Sequence, residues 1–266
     1  VNPSLEDSKV SQLTVPDLRG KTYLVTGAST GIGAAVARAL ALQGAQVAIH
    51  YNSSEGPARA LAEEISKGGG KVHLVAGDAG KHDEITRVVM EAAEFFGRLD
   101  GLINNAGSLL KRVPIVESDE SFDRLVTDIN SHSVLWASRA AIPWLRKQGG
   151  VIVNTTSIAA RHGGGGGSLL YAASKGYVST LTRGMAKELV KDGIRVNAVS
   201  PGVIATPFHE RFSSEEQMKT MVASIPMGRA GTAEECAGTY LYLCSDMLSG
   251  YVTGQVIEVN GGQLMP

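Results

Sequence analysis

The sequence predicts an α/β fold: a single domain built on a doubly wound parallel sheet of about seven strands, with helices on both faces. Three observations predict it. From Lys21 onward, short apolar runs alternate with helical segments, the rhythm of βαβ units whose strands are buried on both faces. A glycine-rich turn, Gly27 to Gly33, joins the first apolar run to the first helical segment. The chain of 266 residues is 43% hydrophobic, enough for one substantial core, and no repeat or Pro-rich linker divides it.

The elements follow in order. Strands are expected at 22–26, 46–50, 71–75, 101–104, 151–155, 195–200 and 255–259. Between them fall helices at 31–43, 56–66, 83–96, one long helix at 118–147, then 170–191 and 233–244. In the third helix, Ile85, Val88, Val89, Ala92 and Phe96 recur at helical spacing, so one stripe faces the sheet. Right-handed crossovers between such units wind the sheet both ways from its middle. Two segments break the rhythm. Residues 163–167 are five consecutive glycines, a loop that orders only at an entropic cost. Residues 203–231, with Phe208, Phe212, Met218, Met221 and Met227, read as an inserted flap that covers substrate. Residues 1–20 are polar and acidic and read as a flexible arm ahead of a catalytic domain at 21–266.

Charge and cysteine usage exclude several classes. Lys and Arg number 25 against 26 Asp and Glu, with no long run of either sign, so neither a nucleic acid nor an anionic membrane surface is an expected partner. No apolar run approaches the roughly 18 residues that a membrane span needs. Cys236 and Cys244 have no metal or redox spacing and read as buried thiols of a cytoplasmic protein. The six histidines form no cluster at metal-ligand spacing, so no metal is expected.

The residues that carry chemistry lie where strands end. Glycines at 27, 31 and 33, between a strand and a helix, permit a tight turn and a close backbone approach to a pyrophosphate at the helix N-terminus. Tyr171 and Lys175 are four apart in a helical segment, hence one turn apart on one face. An ammonium there favours the phenolate and is expected to lower the Tyr171 pKa. Ser157 follows the fifth strand, at the carboxyl edge where open parallel sheets bind ligands. Thr156 is its nearer rival, while Ser168 better suits the cap of the next helix.

Several ordered stretches, taken together, resemble the short-chain dehydrogenase/reductase family in its small single-domain branch. They are TGASTGIG at 26–33, NNAG at 104–107, YAASK at 171–175, SPG at 200–202 and GG at 261–262. The resemblance spans nearly the whole chain from Gly20 and implies a Rossmann-type fold. It also implies an NAD(P)-dependent oxidoreductase that transfers a hydride between nicotinamide and a ketone or secondary alcohol. Similar sequences include 3-oxoacyl-carrier-protein reductases, with sugar or polyol dehydrogenases as the alternative. A regulator that binds NAD(P) without turnover is the competing reading, and the Ser157, Tyr171 and Lys175 set argues against it.

By resemblance, Gly27, Ser29, Thr30, Ile32 and Gly33 border the pyrophosphate and ribose, and Asp78 bonds the adenine. Asn105, Ala106 and Gly107 line the ribose. Pro201 and Gly202 turn the chain toward Val203 and Thr206, which hold the nicotinamide carboxamide. Tyr51, Asn52 and Ser53 follow the second strand without a carboxylate to repel a 2′-phosphate, which favours NADP over NAD. Yet no Arg or Lys stands there, and Thr30 takes the position where many NADP-using relatives have Arg. The catalytic set is Tyr171 as acid/base, Lys175 as electrostatic tuner and ribose contact, Ser157 as donor to the substrate oxygen and Asn130 in a proton relay. Ser157 and Tyr171 are 14 residues apart, slightly more than is usual in the family, and the five glycines absorb the excess. The resemblance also implies a homo-oligomer, a tetramer formed through the long helix and the Tyr171 helix.

Overall fold

The computed structural model describes residues 14–265. Its seven strands are β1 (Thr22–Val25), β2 (Gln46–Tyr51), β3 (Val72–Ala76), β4 (Gly101–Asn104), β5 (Gly150–Thr155), β6 (Ile194–Pro201) and β7 (Val256–Val259). They form one sheet in the order β3-β2-β1-β4-β5-β6-β7, and every neighbouring pair is parallel. The winding reverses between β1 and β4. A crevice opens outside the carboxyl ends of such a pair, which is where this class of sheet holds ligands.

Alternation along each strand divides the core in two. Tyr23 and Val25 of β1, with Val47 and Ile49 of β2, pack under α1 (Gly31–Leu42), α2 (Glu55–Lys67) and α10 (Ala233–Cys244). Leu24, Ala48, Leu102 and Ile152 point the other way, under α3 (His82–Phe96), α5 (Ser133–Leu145) and α7 (Leu169–Leu189). The stripe on α3 is as expected: Ile85, Val88, Val89 and Ala92 are buried, and Phe96 packs against them half-buried. Local signals set the ends of the helices. Gly97 ends α3 in the left-handed conformation at φ 72°, and Thr232 with Glu235 closes a capping box at the start of α10.

The structure corrects two sequence expectations. The helix expected over 118–147 is broken into α4 (Glu120–Thr127), a π-turn (Asp128–His132) and α5. The π-turn centres on Asn130, which is fully buried and spends its amide on the backbone instead of on solvent. Such single π-turns concentrate at functional positions. The arm expected over 1–20 is anchored at its end; residues 1–13 lie outside the described residues. Val15 and Leu18 are buried, and the Val15 N–H donates to Gln43 Oε1 at 2.7 Å. The Asp17 carboxylate accepts from Ser245 Oγ at 2.8 Å and from the Asp246 N–H at 2.9 Å, at the start of α11 (Asp246–Ser249).

Two short helices, α8 (Pro207–Phe212) and α9 (Glu215–Ala223), make up much of the segment after β6, and α6 (Ala159–His162) precedes the glycine run. Among the described residues no helix is long and apolar enough to cross a membrane, and no group of three His, Cys, Asp or Glu is placed to hold a metal ion.

Candidate active site

A cleft of about 1170 Å³ runs along the carboxyl edge of the sheet. At one end, Gly27 (φ 62°) and Gly31 (φ 58°) take left-handed conformations that suit glycine. Thr30 caps α1 without a side-chain hydrogen bond, and the first turn carries no acid, so its leading N–H groups are available to an anion. A Cβ on Gly27 would lie 2.9 Å from the Ala106 Cα, and one on Gly33 would collide with the Gly27 carbonyl and the Asn105 amide. Gly33 therefore serves close packing and does not line the cleft, whereas Gly27, Ser29, Thr30 and Ile32 do.

The NNAG stretch fastens the turns after β1 and β4 to each other. The N–H groups of Asn105 and Ala106 both donate to Thr26 Oγ1, at 2.9 and 3.0 Å. Asn105 Nδ2 donates to the carbonyls of Thr26 and Gly27, at 3.0 and 3.1 Å. Sequence reasoning missed His50, the third member of this junction. It is 1% exposed; its Nδ1 accepts from the Gly27 N–H at 3.0 Å and its Nε2 donates to the Gly77 carbonyl at 2.9 Å. That pair of bonds requires the neutral ring protonated on Nε2, and burial lowers the His50 pKa accordingly. The signal was present as a histidine at the end of an apolar strand, directly across from the glycine turn.

Asp78, Asn52 and Ser53 line the cleft together with Ser54 and Lys81. Asp78 is held by its own turn, accepting from the Gly80 N–H at 2.9 Å. Tyr51 does not join them: it packs against the core under α1 and α2. The strand runs one residue further than expected, and its alternation turns that side chain inward.

At the middle of the cleft the structure brings Ser157, Tyr171 and Lys175 together. Lys175 is buried beneath the site, its Nζ donating to the Thr155 carbonyl at 2.8 Å and lying 5.8 Å from the centre of the Tyr171 ring. Burial pulls its pKa down to about 8. Burial also pushes the Tyr171 phenol up to about 12, with the hydrogen bond to Ser157 acting in the opposite sense. This corrects the expectation that Lys175 lowers the phenol: desolvation dominates both groups, and Tyr171 carries its proton at neutral pH.

The rival Thr156 is turned away, its hydroxyl donating to the Lys175 carbonyl at 2.9 Å. Ser168 does not cap α7 with its side chain. Its hydroxyl instead donates to the Gly165 carbonyl at 2.8 Å and accepts from the Gly165 N–H at 2.9 Å, pinning the glycine run. Asn130 sits behind the cleft. Its Oδ1 accepts from the Ser108 N–H at 3.0 Å, and its Nδ2 donates to the carbonyls of Ser108 and Val126 at 2.8 and 2.9 Å. Gly107 is the window between these groups: a Cβ there would lie 2.8 Å from Asn130 Oδ1 and 3.1 Å from Lys175 Nζ.

The remaining end is framed by Pro201, Gly202, Val203, Thr206, Phe208, Phe212 and Met221, while Met218 and Met227 point elsewhere. The ring of Phe208 lies 5.7 Å from that of Tyr171 and 5.1 Å from that of Phe212. Arg112, a second residue missed in the sequence, joins this end by donating to the Phe212 carbonyl at 2.7 Å.

Residues 27–263 match the family described as Enoyl-(Acyl carrier protein) reductase. General stress protein 39 of Bacillus subtilis (strain 168) is 39% identical over 248 residues, covering 93% of this chain and 86% of that protein. NADPH-dependent aldehyde reductase 1, chloroplastic, of Arabidopsis thaliana is 38% identical, over 93% of this chain and 88% of its own. The crystal structure of the NADH-dependent reductase A1-R' complexed with NAD superposes with a TM-score of 0.84 at 38% identity, covering 95% of this chain and 100% of the other. The motifs, the sheet order and these likenesses agree, and the chain belongs to the short-chain dehydrogenase/reductase family of NAD(P)-binding oxidoreductases.

Proposed function

We propose that Tyr171, Lys175 and Ser157 carry out carbonyl reduction or its reverse, on a small ketone or a 3-oxoacyl-type substrate. The observation that carries this reading is their convergence in one cleft with the glycine turn of α1. A dinucleotide fits that cradle: the left-handed glycines at 27 and 31 leave the turn bare of side chains, and the uncapped N-terminus of α1 meets it without an acid. Gly27, Ser29, Thr30 and Ile32 would hold the pyrophosphate and neighbouring ribose, Asp78 the adenine, and Asn105, Ala106 and Gly107 the second ribose. Val203 and Thr206, presented by Pro201 and Gly202, would hold the carboxamide. Bound nicotinamide supplies or accepts the hydride.

In the direction of reduction, Ser157 donates a hydrogen bond to the carbonyl oxygen, and Tyr171 gives that oxygen its proton as charge develops there. The phenolate left behind is stabilised by the Lys175 ammonium beneath it. The Thr155 carbonyl keeps that ammonium in place. Asn130 positions the Ser108 loop and π-turn behind Lys175 and supports return of a proton from solvent.

NADP is the proposed coenzyme. Asn52, Ser53 and Ser54 bring no carboxylate to the cleft and can donate hydrogen bonds to a 2′-phosphate. The segment 203–231 is proposed to cover the substrate within a catalytic domain spanning 21–266. Exposed Leu125 on α4 and Tyr177 on α7 support assembly into a homotetramer through these helices. The buried free thiols Cys236 and Cys244 suit a reducing, cytoplasmic setting. Equilibrium binding of NADPH and NADH, followed by loss of reduced-nicotinamide absorbance across a carbonyl panel, tests the proposal. Tighter NADPH binding with ketone-dependent oxidation is expected; failure to bind either coenzyme would overturn it.

A further inference from the structure

We infer that the Phe212 end of the cleft binds an anionic group, a carboxylate or a phosphate, carried by the carbonyl substrate beyond a short apolar spacer. This rests on the carbonyl reduction proposed above and names the class of molecule reduced.

The argument begins with Arg112, which lines the cleft half-buried from the loop after β4. Its Nε donates to the Phe212 carbonyl at 2.7 Å, and its Nη1 to the carbonyls of Gly165 and Gly166 at 3.0 and 3.1 Å. Among the described residues no carboxylate pairs with it, and its Nη2 has no hydrogen-bond partner. A guanidinium has five N–H donors that cannot be titrated away, so this cation retains donors and an uncompensated charge. Arg211, in the last turn of α8, lines the same cleft and likewise makes no ion pair or side-chain hydrogen bond among the described residues. His209 registers the local field: burial first, and then the Arg112 charge, hold its pKa below the usual histidine value.

The carboxylates of the cleft do not cancel these charges. Asp128 is paired with His132 at 2.8 Å, and Asp78 is held by its turn at the Lys81 end. Glu216, in the exposed first turn of α9, is the one remaining acid among the lining residues, against two arginines. The contacts from Tyr171 to Phe208 to Phe212 to Arg112 are continuous. The reacting phenol and the cation are thus joined through Phe208 and Phe212, and Met221 adds a flexible apolar side chain to the same wall of the cleft. That wall fits a carbon chain with the carbonyl at one end and the charge at the other. Arg112 also bridges the glycine run and α8, so an anion drawn to it would meet the two segments that border the substrate.

The test is a series of methyl ketones bearing a terminal carboxylate, its methyl ester or a terminal phosphate, at several spacer lengths, with the coenzyme that binds. At the best length, kcat/KM for an anion should exceed that for the ester by about tenfold, as one charge-assisted hydrogen bond allows. The faster of the two anions identifies the group. The preference should collapse toward unity in Arg112→Gln and fall in Arg211→Gln, and should survive partly in Arg112→Lys. Because the ratio is read within each variant, partial misfolding cancels. A purely structural Arg112 would lower all rates alike and leave the ratio intact, which overturns the inference. Esters reduced as well as anions by wild type also overturn it while leaving carbonyl reduction standing. Turnover of none of the ketones would remove the reading on which it rests.

Discussion

The Lys175 ammonium shows how burial decides chemistry at the residue scale. Its folded-state pKa of about 8 lies below the ordinary value of 10.5, so the folded protein gives up this proton first. The associated stability is present above about 10.5 and is lost as pH falls through about 8. Replacing it with an isosteric apolar chain removes that dependence. Urea unfolding of Lys175→Met and wild type at several pH values should show the difference shifting toward the variant between those limits and levelling below. Burial keeps the proton on folded Tyr171 in both proteins across this range, and its titration in the unfolded chain is common to both. A difference independent of pH would mean that the ammonium is not desolvated in the folded state.

His50 gives the second residue-scale prediction. His50→Ala leaves a buried N–H and a buried carbonyl without their partner, at a cost of about 1–3 kcal/mol each. Reduced stability in urea and weaker coenzyme binding are expected together, since the Gly27 turn loses its tie to β3. Unchanged coenzyme binding would show that the ring only fills space. Ser157, Tyr171 and Lys175 were legible as candidates because several ordered motifs together resemble one family, whereas spacing and strand position alone left Thr156 open. His50 and Arg112 were not, because what matters in each is a long-range bond to backbone, which leaves no periodicity. Tyr51 was misplaced by one residue of strand alternation.

At the scale of elements, the glycine run is two kinds of glycine. Gly167 has φ 81°, and a Cβ there would lie 2.8 Å from the Val113 nitrogen, whose N–H donates to the Gly167 carbonyl at 2.9 Å. Gly165 takes no left-handed angle and has open space around its Cβ position. Gly167→Ala should therefore cost about 1–2 kcal/mol or more and raise KM, while Gly165→Ala should be close to neutral. Equal effects, measured by thermal melting and steady-state kinetics, would contradict this account of the loop. The same scale holds the clearest limit of pattern reading. The π-turn falls in the polar run Asp128-Ile129-Asn130-Ser131-His132-Ser133, where a single apolar residue leaves no stripe to register the extra residue. The buried amide of Asn130 determines that turn, and only the fold shows which carbonyls it reaches.

For the whole molecule, strand number, parallel pairing and the two helical faces were readable from alternation alone, since each βαβ unit repeats the same burial pattern. The anchoring of the segment before β1 was not, because Asp17 acts on a helix start more than two hundred residues away. The exposed apolar surface on α4 and α7 yields a prediction at this scale. Light scattering should give the mass of a tetramer, and Leu125→Asp should shift it to smaller species; a monomer in wild type would contradict the assembly.

The central claim is that Tyr171 supplies the proton in hydride transfer, and one comparison tests it most directly. Coenzyme binding and ketone-dependent coenzyme oxidation are measured side by side for wild type and Tyr171→Phe, which keeps the ring against Phe208 and removes only the hydroxyl. The account predicts coenzyme affinity within a few fold and turnover reduced by about 10²–10⁴-fold, the span of general acid–base catalysis. Near-wild-type turnover in Tyr171→Phe would contradict it and move the proton to another group in the cleft.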